Sequence, residues 1–503
     1  MAILSSIISW LSTKRLWQID LFMKYPHNVQ YETFVKLIDQ AKNTEWGKKY
    51  NYNKINSIDD FKNNVPLQNY DDIKPYVNRL RDGEQNLLWP SDIKWFAKSS
   101  GTTSDKSKFI PVSKEALEDC HFRGGKDVLS IYTRENPNTQ IFSGKGLTLG
   151  GSHKINNFSN QSFYGDLSAV LIENLPFWAE FLRTPRTEIA LMDVWDEKIQ
   201  KIAEETIKQD VTNIAGVPSW TFVLAKHILE ITKKNNLLEI WPNLELFVHG
   251  GISFLPYREQ FEKLIPSKKM RYMETYNASE GFFAIQNSLF SDDMLLMLDY
   301  GIFYEFLPLS EIDNKNPKTI QLKDVKIGKN YALVISTNAG LWRYIIGDTI
   351  KFTNKYPYKI KITGRIKHFI NAFGEELIID NTDKALEIAC EKTNAEIVEY
   401  TAGPIYMDDN QKGGHQWLIE FEKPPENIDY FAEVLDNALK SLNSDYEAKR
   451  YKNLTLDFPK INVLKPGTFY EWLKQKGKIG GQHKVPRLAN NRKYIEEILK
   501  INI

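Results

Sequence analysis

Apolar positions along the chain change period several times, and each change predicts a different kind of element. Ile3, Leu4, Ile7, Ile8 and Leu11 fall at helical spacing, the stripe of an amphipathic helix packed on a core. Helical patterns recur over 31–42 and 57–63, separated by polar turns. From Trp95 onward, short apolar runs of strand length alternate with longer helical patterns, as at 146–150, 213–217, 244–249 and 331–336. Several of these runs end in or enter glycine. Strands that stop in glycine-bearing loops, interleaved with helices, predict an α/β architecture with ligand sites at the strand ends.

The stretch 294–353 is different. Its runs at 296–306, 331–337 and 341–346 are strand-like with little helical period, which predicts a small β-rich subdomain. Past Ile362-Thr-Gly-Arg365, 383–392 and 428–443 read as helices, and 396–401 and 416–421 as strands. The expected fold is α/β (α+β): an N-terminal domain over 1–362, of β-sheets flanked by helices, and a smaller C-terminal α+β domain over 363–503. A chain of 503 residues is too long for one ordinary core, so this division is the natural one.

Composition narrows the classes. Hydrophobic residues make up 42% and charged residues 26% of a chain whose formal net charge is +1. That is a globular composition with no global field toward nucleic acid or anionic membrane. The 2 cysteines, Cys120 and Cys390, lie far apart and in no metal-ligand spacing, so neither a disulfide scaffold nor a cysteine metal site is expected. The first residues lack the basic segment and cleavage site of a signal peptide, and no run reaches the roughly 18 apolar residues of a membrane span. A cytoplasmic protein is expected; oligomeric state is not readable.

Chemistry concentrates in loops. In Lys-Ser-Ser-Gly-Thr-Thr-Ser-Asp-Lys-Ser-Lys, residues 98–108, hydroxyls (Ser99, Ser100, Thr102, Thr103), a glycine (Gly101) and the cations Lys106 and Lys108 follow an apolar strand end. Backbone N–H groups, hydroxyl donors and cations so close together suit a polyphosphate. The loop lacks the Gly-Lys-Ser/Thr of a Walker motif, which argues against a P-loop kinase. His249-Gly250-Gly251-Ile252-Ser253 ends a strand in two glycines, as a tight turn or the close approach of a flat ligand requires. The 276–283 segment offers an aromatic face (Tyr276), a hydroxyl (Ser279) and a carboxylate (Glu280) able to hold Mg²⁺ beside phosphate oxygens. In 341–348, Asp348 follows an apolar strand and Gly347, placed to accept ribose hydroxyls. Arg365, near the presumed domain junction, is a fixed cation able to pair with ribose or phosphate. Together these segments suit one nucleotide: phosphates on the hydroxyl loop, metal on Glu280, adenine against Tyr276 and the Gly-Gly strand end, ribose on Asp348.

The order of these segments resembles the acyl-adenylate-forming superfamily. More closely, the chain resembles a bacterial-type member of the auxin-responsive Gretchen Hagen family of acyl-acid amido synthetases. The residues that carry this likeness are 99–103, 216–220 (Gly-Val-Pro-Ser-Trp), 249–253, 276–283, 342–348, 363–376, 442–449 (Leu-Asn-Ser-Asp-Tyr-Glu-Ala-Lys) and 481–487 (Gly-Gln-His-Lys-Val-Pro-Arg). The resemblance implies ATP and Mg²⁺. Ser99, Ser100, Gly101, Thr102 and Thr103 would cradle the phosphates, with Gly250, Gly251, Tyr276 and Ser279 at the nucleotide. Glu280 would sit at the metal, Asp348 at the ribose, and Arg365 at ribose or phosphate. Lys484 would be the lysine that offsets charge on the α-phosphate. Lys367 falls where the superfamily has its hinge, usually an acidic residue, and the C-terminal domain would be mobile about it.

The implied activity is an ATP-dependent ligation in which a carboxylic acid is adenylated, pyrophosphate leaves, and an amino acid amine then displaces AMP. Pro218, Trp220, Phe222 and the helix running to Leu229 are candidates for an acyl pocket. An acyl-thioester ligase using coenzyme A or a carrier thiol remains the alternative within enzymes. A non-catalytic protein that binds a nucleotide or acyl-adenylate is the alternative outside them. Nothing in the residues identifies the acid or the amino acid.

Overall fold

A computed structural model describes residues 2–501 except 100–107, 151–154, 160, 193, 252–253, 255–256, 313, 367–368, 371–376, 406–412, 444–445, 448–449, 451–455, 478–483 and 490. Among the described residues the chain divides into two compact units. The first runs through residue 346 and resumes over 351–361; the second takes in 347–350 and the chain from 362 onward.

The main sheet has eleven described strands in the order Ile302–Pro308, Asn330–Thr337, Tyr344–Lys355, Tyr358–Arg365, Met294–Leu296, Gly281–Ile285, Arg271–Ala278, Leu246–Gly250, Val211–Gly216, Lys145–Thr148, Arg183–Thr184. From Arg271–Ala278 to Arg183–Thr184 neighbouring strands are parallel. Pairings on the other side, such as Gly281–Ile285 with Arg271–Ala278 and Ile302–Pro308 with Asn330–Thr337, are antiparallel. The β-rich stretch read from 294–353 is thus the antiparallel end of this sheet.

Helices cover the parallel half as its connections demand. Ile199, Ile202, Ala203, Leu224, Ala225, Ile228 and Phe261 pack on Leu147, Ile214 and Phe247 in one apolar cluster. The helix Pro218–Thr232 starts with proline in its first turn, where the missing N–H costs no intrahelical bond. Trp220, Phe222 and Leu229 lean on that same cluster, so these acyl-pocket candidates contribute to the core. A second sheet of four strands pairs Trp95–Ser99 with Lys108–Val112 on one side and Ser162–Gly165 on the other.

The second unit is built on the sheet Glu396–Ile405, Gly414–Lys423, Lys460–Leu464. The helices Ile379–Thr393 and Ile428–Leu442 bury Ala385, Leu386, Leu435 and Leu439 with the sheet residues Tyr400, Trp417 and Ile419. Both cysteines are free thiols. Among the described residues no helix is long and apolar enough to cross a membrane.

Candidate functional site

Three adjacent parallel strands end along one edge of the main sheet. Their register sets Gly216 opposite His249 and Gly250 opposite Thr275, so Gly216, Gly250 and the turn at Ser279 and Glu280 share the carboxyl edge, where α/β sheets bind ligands. A Cβ on Gly250 would stand 2.5 Å from the carbonyl oxygen of Thr275, so the adjoining strand itself demands glycine there. Gly251 has φ +80°, the left-handed turn conformation. Strand contact and turn geometry therefore explain both glycines. His249 is buried and stacks on Phe254 at 4.2 Å. Desolvation, and then the charge of Arg258, hold its imidazole neutral, with its pKa lowered to about 3.

Ser99 closes the strand Trp95–Ser99 opposite Lys108. The rest of the proposed phosphate loop, Ser100, Gly101, Thr102 and Thr103, lies outside the described residues, as do Lys367, Ile252 and Ser253.

The hairpin that bears Glu280 is gripped from one helical segment. Tyr276 is buried and meets Phe283 edge-on at 4.8 Å, Ser279 is buried, and Glu280 is half-buried at the turn. Behind them runs a π-helical stretch, Ala116–His121, a local widening common at functional sites. Cys120 Sγ accepts from the backbone N–H of Phe282 at 3.2 Å. His121 Nδ1 lies 3.1 Å from Asn277 Oδ1; with the amide oxygen facing the ring, Nδ1 carries the proton. Burial lowers the His121 pKa to about 4 against the opposing pull of Asn277, so the ring is neutral. A Cβ on Gly124 would reach the Phe282 ring at 2.5 Å, which explains that glycine.

No group of three or more metal-ligating side chains occurs among the described residues. Mg²⁺ at a nucleotide is held through one or two carboxylates plus phosphate oxygens, and a single half-buried Glu280 on a braced turn fits that donor set.

In the second unit two of the candidate residues pair directly, and a third lies within range of their charges. Asp348 is 7% exposed and follows Gly347, whose φ of +96° makes the turn. Arg365 Nε donates to Asp348 Oδ1 at 2.5 Å, and the N–H of Ile366 donates to the Gly347 carbonyl at 2.7 Å. Lys484 feels both charges. Its ammonium is pushed down to about 7 by desolvation first and Arg365 second, while Asp348 acts in the opposite sense. Yet Lys484 is exposed, and water there screens part of the effect.

Models of the GH3 family match almost end to end: its N-terminal domain over residues 15–270, its central domain over 295–365 and its C-terminal domain over 380–493. The chain belongs to the GH3 family. It is 24% identical to the indole-3-acetic acid-amido synthetase GH3.3 of Arabidopsis thaliana, over 92% of this chain and 89% of that one. It is also 24% identical to the jasmonoyl–L-amino acid synthetase JAR4 of Nicotiana attenuata, over 93% and 92%. The solved structure of the GH3.15 acyl acid amido synthetase with 2,4-DB superposes with a TM-score of 0.78 at 18% identity, over 95% of this chain and 94% of that one. These matches establish the family resemblance and the fold class expected from the sequence.

Three supports of the candidate residues are not evident in the motifs themselves. The first is the grip of Cys120 and His121 on the Glu280 hairpin. The second is a buried pair between Arg343 and Glu305 at the head of the strand that carries Asp348. An arginine inside the apolar run 341–346 is a visible signal of a buried acid partner, but spacing cannot say which acid. The third is the anchoring of the residues that follow Lys484.

Proposed function

We propose that this GH3 chain is an ATP-dependent ligase that adenylates a carboxylic acid and passes the acyl group to the amine of an amino acid. The observation that supports it most is the Arg365–Asp348 ion pair, drawn from two separate motifs, with Lys484 of a third motif within range of both charges. In this reading Asp348 accepts the ribose hydroxyls and Arg365 holds Asp348 while facing ribose or phosphate. Ser99 and the hydroxyls through Thr103 donate to the phosphates, and Tyr276 and Ser279 border the nucleotide. Glu280 would hold Mg²⁺, which when bound neutralises phosphate charge.

An oxygen of the substrate carboxylate attacks the α-phosphorus, the bond to the bridging oxygen breaks, and pyrophosphate leaves. Lys484 offsets the charge that builds on the α-phosphate from a fixed position, the form of electrostatic help that needs no reorganisation. The amine, once deprotonated, then attacks the activated carbonyl; AMP leaves and a second proton departs as the amide forms. Residues 363–503 act in this scheme as the domain that turns about the Arg365–Lys367 linker between the two steps.

The test is acid-dependent exchange of labelled pyrophosphate into ATP across a panel of carboxylic acids, without acceptor. Exchange followed by consumption of an amino acid supports the ligase. Exchange followed by turnover with coenzyme A and not amines replaces the acceptor. ATP binding without exchange for any acid overturns the reading in favour of a nucleotide-binding protein.

A further inference from the structure

A lysine has four rotatable side-chain bonds, so a partly exposed one can place charge at a chosen atom only if its stem is fixed. What fixes Lys484 is the chain just after it. Val485, Pro486, Leu488 and Ala489 are buried. Thr401 Oγ1 donates to the Pro486 carbonyl at 2.6 Å, the N–H of Ala402 to the Arg487 carbonyl at 2.8 Å, and the N–H of Ala489 to the Ala402 carbonyl at 3.1 Å. The segment is thus laid along the strand Glu396–Ile405. Its one charged member, Arg487, donates from Nη1 to Asp383 Oδ1 at 2.6 Å. The same carboxylate oxygen accepts the Tyr400 hydroxyl at 2.6 Å, and the guanidinium lies over the Tyr400 ring at 5.2 Å. A second acid, Glu399, stands 3.8 Å from Arg487 Nε, beyond hydrogen-bond length.

We propose that Asp383 is a positioning residue for adenylation: by holding Arg487 it fixes the backbone from which Lys484 reaches the α-phosphate, without touching substrate itself. The inference rests on the adenylation role of Lys484. Asp383 and Glu399 compete for one guanidinium, and the geometry gives it to Asp383. Neutralising Asp383 hands Arg487 to Glu399 and shifts the stem of Lys484 with it. A misplacement of about 1 Å costs on the order of 10²-fold in a reaction that depends on placement.

The test separates the half-reactions. Asp383→Asn is expected to lower acid-dependent pyrophosphate exchange by about 10²-fold, while amide formation from supplied acyl-adenylate and amino acid stays within about threefold. Asp383→Glu should recover part of the exchange. Equal loss in both half-reactions, or no loss in exchange, overturns the proposal. If Asp383→Asn does not fold, Tyr400→Phe removes one of the two bonds to Asp383 and keeps the ion pair; it should lower exchange selectively, and unchanged exchange overturns the proposal. Lys484→Ala, measured alongside, isolates the underlying reading. Intact exchange in that variant removes the adenylation lysine itself, whereas lost exchange there with intact exchange in Asp383→Asn removes only the positioning role.

Discussion

Arg343 grips both carboxylate oxygens of Glu305, with Nε 3.0 Å from Oε2 and Nη2 2.9 Å from Oε1. The two side chains are 5% and 1% exposed. The guanidinium also donates to the carbonyls of Lys62 at 2.8 Å and Val65 at 2.6 Å and to the Thr319 hydroxyl at 3.0 Å. Arg343 itself has φ +45°, a left-handed conformation that a non-glycine residue keeps only when its surroundings insist on it. The pair therefore fixes the start of the strand leading to Asp348.

Burying two charges costs more than their attraction returns unless the remaining donors and acceptors are satisfied, and here the donors are. Removing one partner leaves the other charge stranded. Arg343→Met or Glu305→Leu alone is expected to destabilise the protein by about 3–5 kcal/mol in denaturant titration, and the double variant by less than the sum. Single losses below about 1 kcal/mol would mean that the pair is not a structural requirement.

Gly250 separates a packing role from a ligand role. An added methyl meets the backbone carbonyl of Thr275 at 2.5 Å, a contact that only movement of the strand relieves. Gly250→Ala should therefore lower the melting temperature of the ligand-free protein, with a cost of about 1–3 kcal/mol as for other overpacked sites. An unchanged melting temperature together with weaker ATP use would assign the glycine to the nucleotide instead.

The His121–Asn277 bond braces the hairpin that presents Glu280. His121→Leu leaves the half-buried Asn277 amide without this partner, at about 1 kcal/mol. A loosened turn also places Glu280 less well, so the Mg²⁺ concentration for half-maximal exchange should rise. Stability lost with no change in Mg²⁺ dependence would confine His121 to the core.

Much of this architecture is written in periodicity. The helices at 383–392 and 428–443 and the strands at 396–401 and 416–421 appear in the fold as Ile379–Thr393, Ile428–Leu442, Glu396–Ile405 and Gly414–Lys423, because one face of each must be buried. The motif residues stand out in the sequence for a different reason: hydroxyls, glycines and a carboxylate gather at strand ends, although packing and turn geometry alone account for Gly250 and Gly251. Partners across the fold were not legible. Arg343 with Glu305, His121 with Asn277, and Arg487 with Asp383 are separated by 38, 156 and 104 positions, and no local pattern encodes which elements meet. The run 341–346 also misled, since the strand begins only at Tyr344, after the left-handed Arg343 turn.

Two buried histidines tie the stability of the first unit to pH. His249 and His121 have folded pKa values lowered to about 3 and about 4 from an ordinary 6.5, both by desolvation first. The unfolded chain binds these protons at higher pH than the folded one, so stability is fully present above about 6.5 and declines as pH falls toward 4 and 3. Within that window each histidine contributes a slope of about 1.4 kcal/mol per pH unit. Denaturant titrations from pH 7 to 4 should show wild type losing stability faster than His249→Phe. Parallel curves would show that His249 takes up its proton equally in both states.

Lys484 makes the opposite demand on activity, because adenylation uses its charged form. Its pKa is lowered from 10.5 toward about 7 by desolvation and then by Arg365, and its exposed surface moderates that shift. Exchange measured as kcat/KM should therefore fall as pH rises between about 7 and 10.5. Bound phosphates favour the ammonium, so the same limb in kcat, which reports the complex, should lie at higher pH. In Lys484→Arg the guanidinium holds its proton above about pH 12, and whatever exchange survives should lose the limb. A limb that persists unmoved in that variant would belong to another group, and the cation at the α-phosphate would have to be sought elsewhere in the chain.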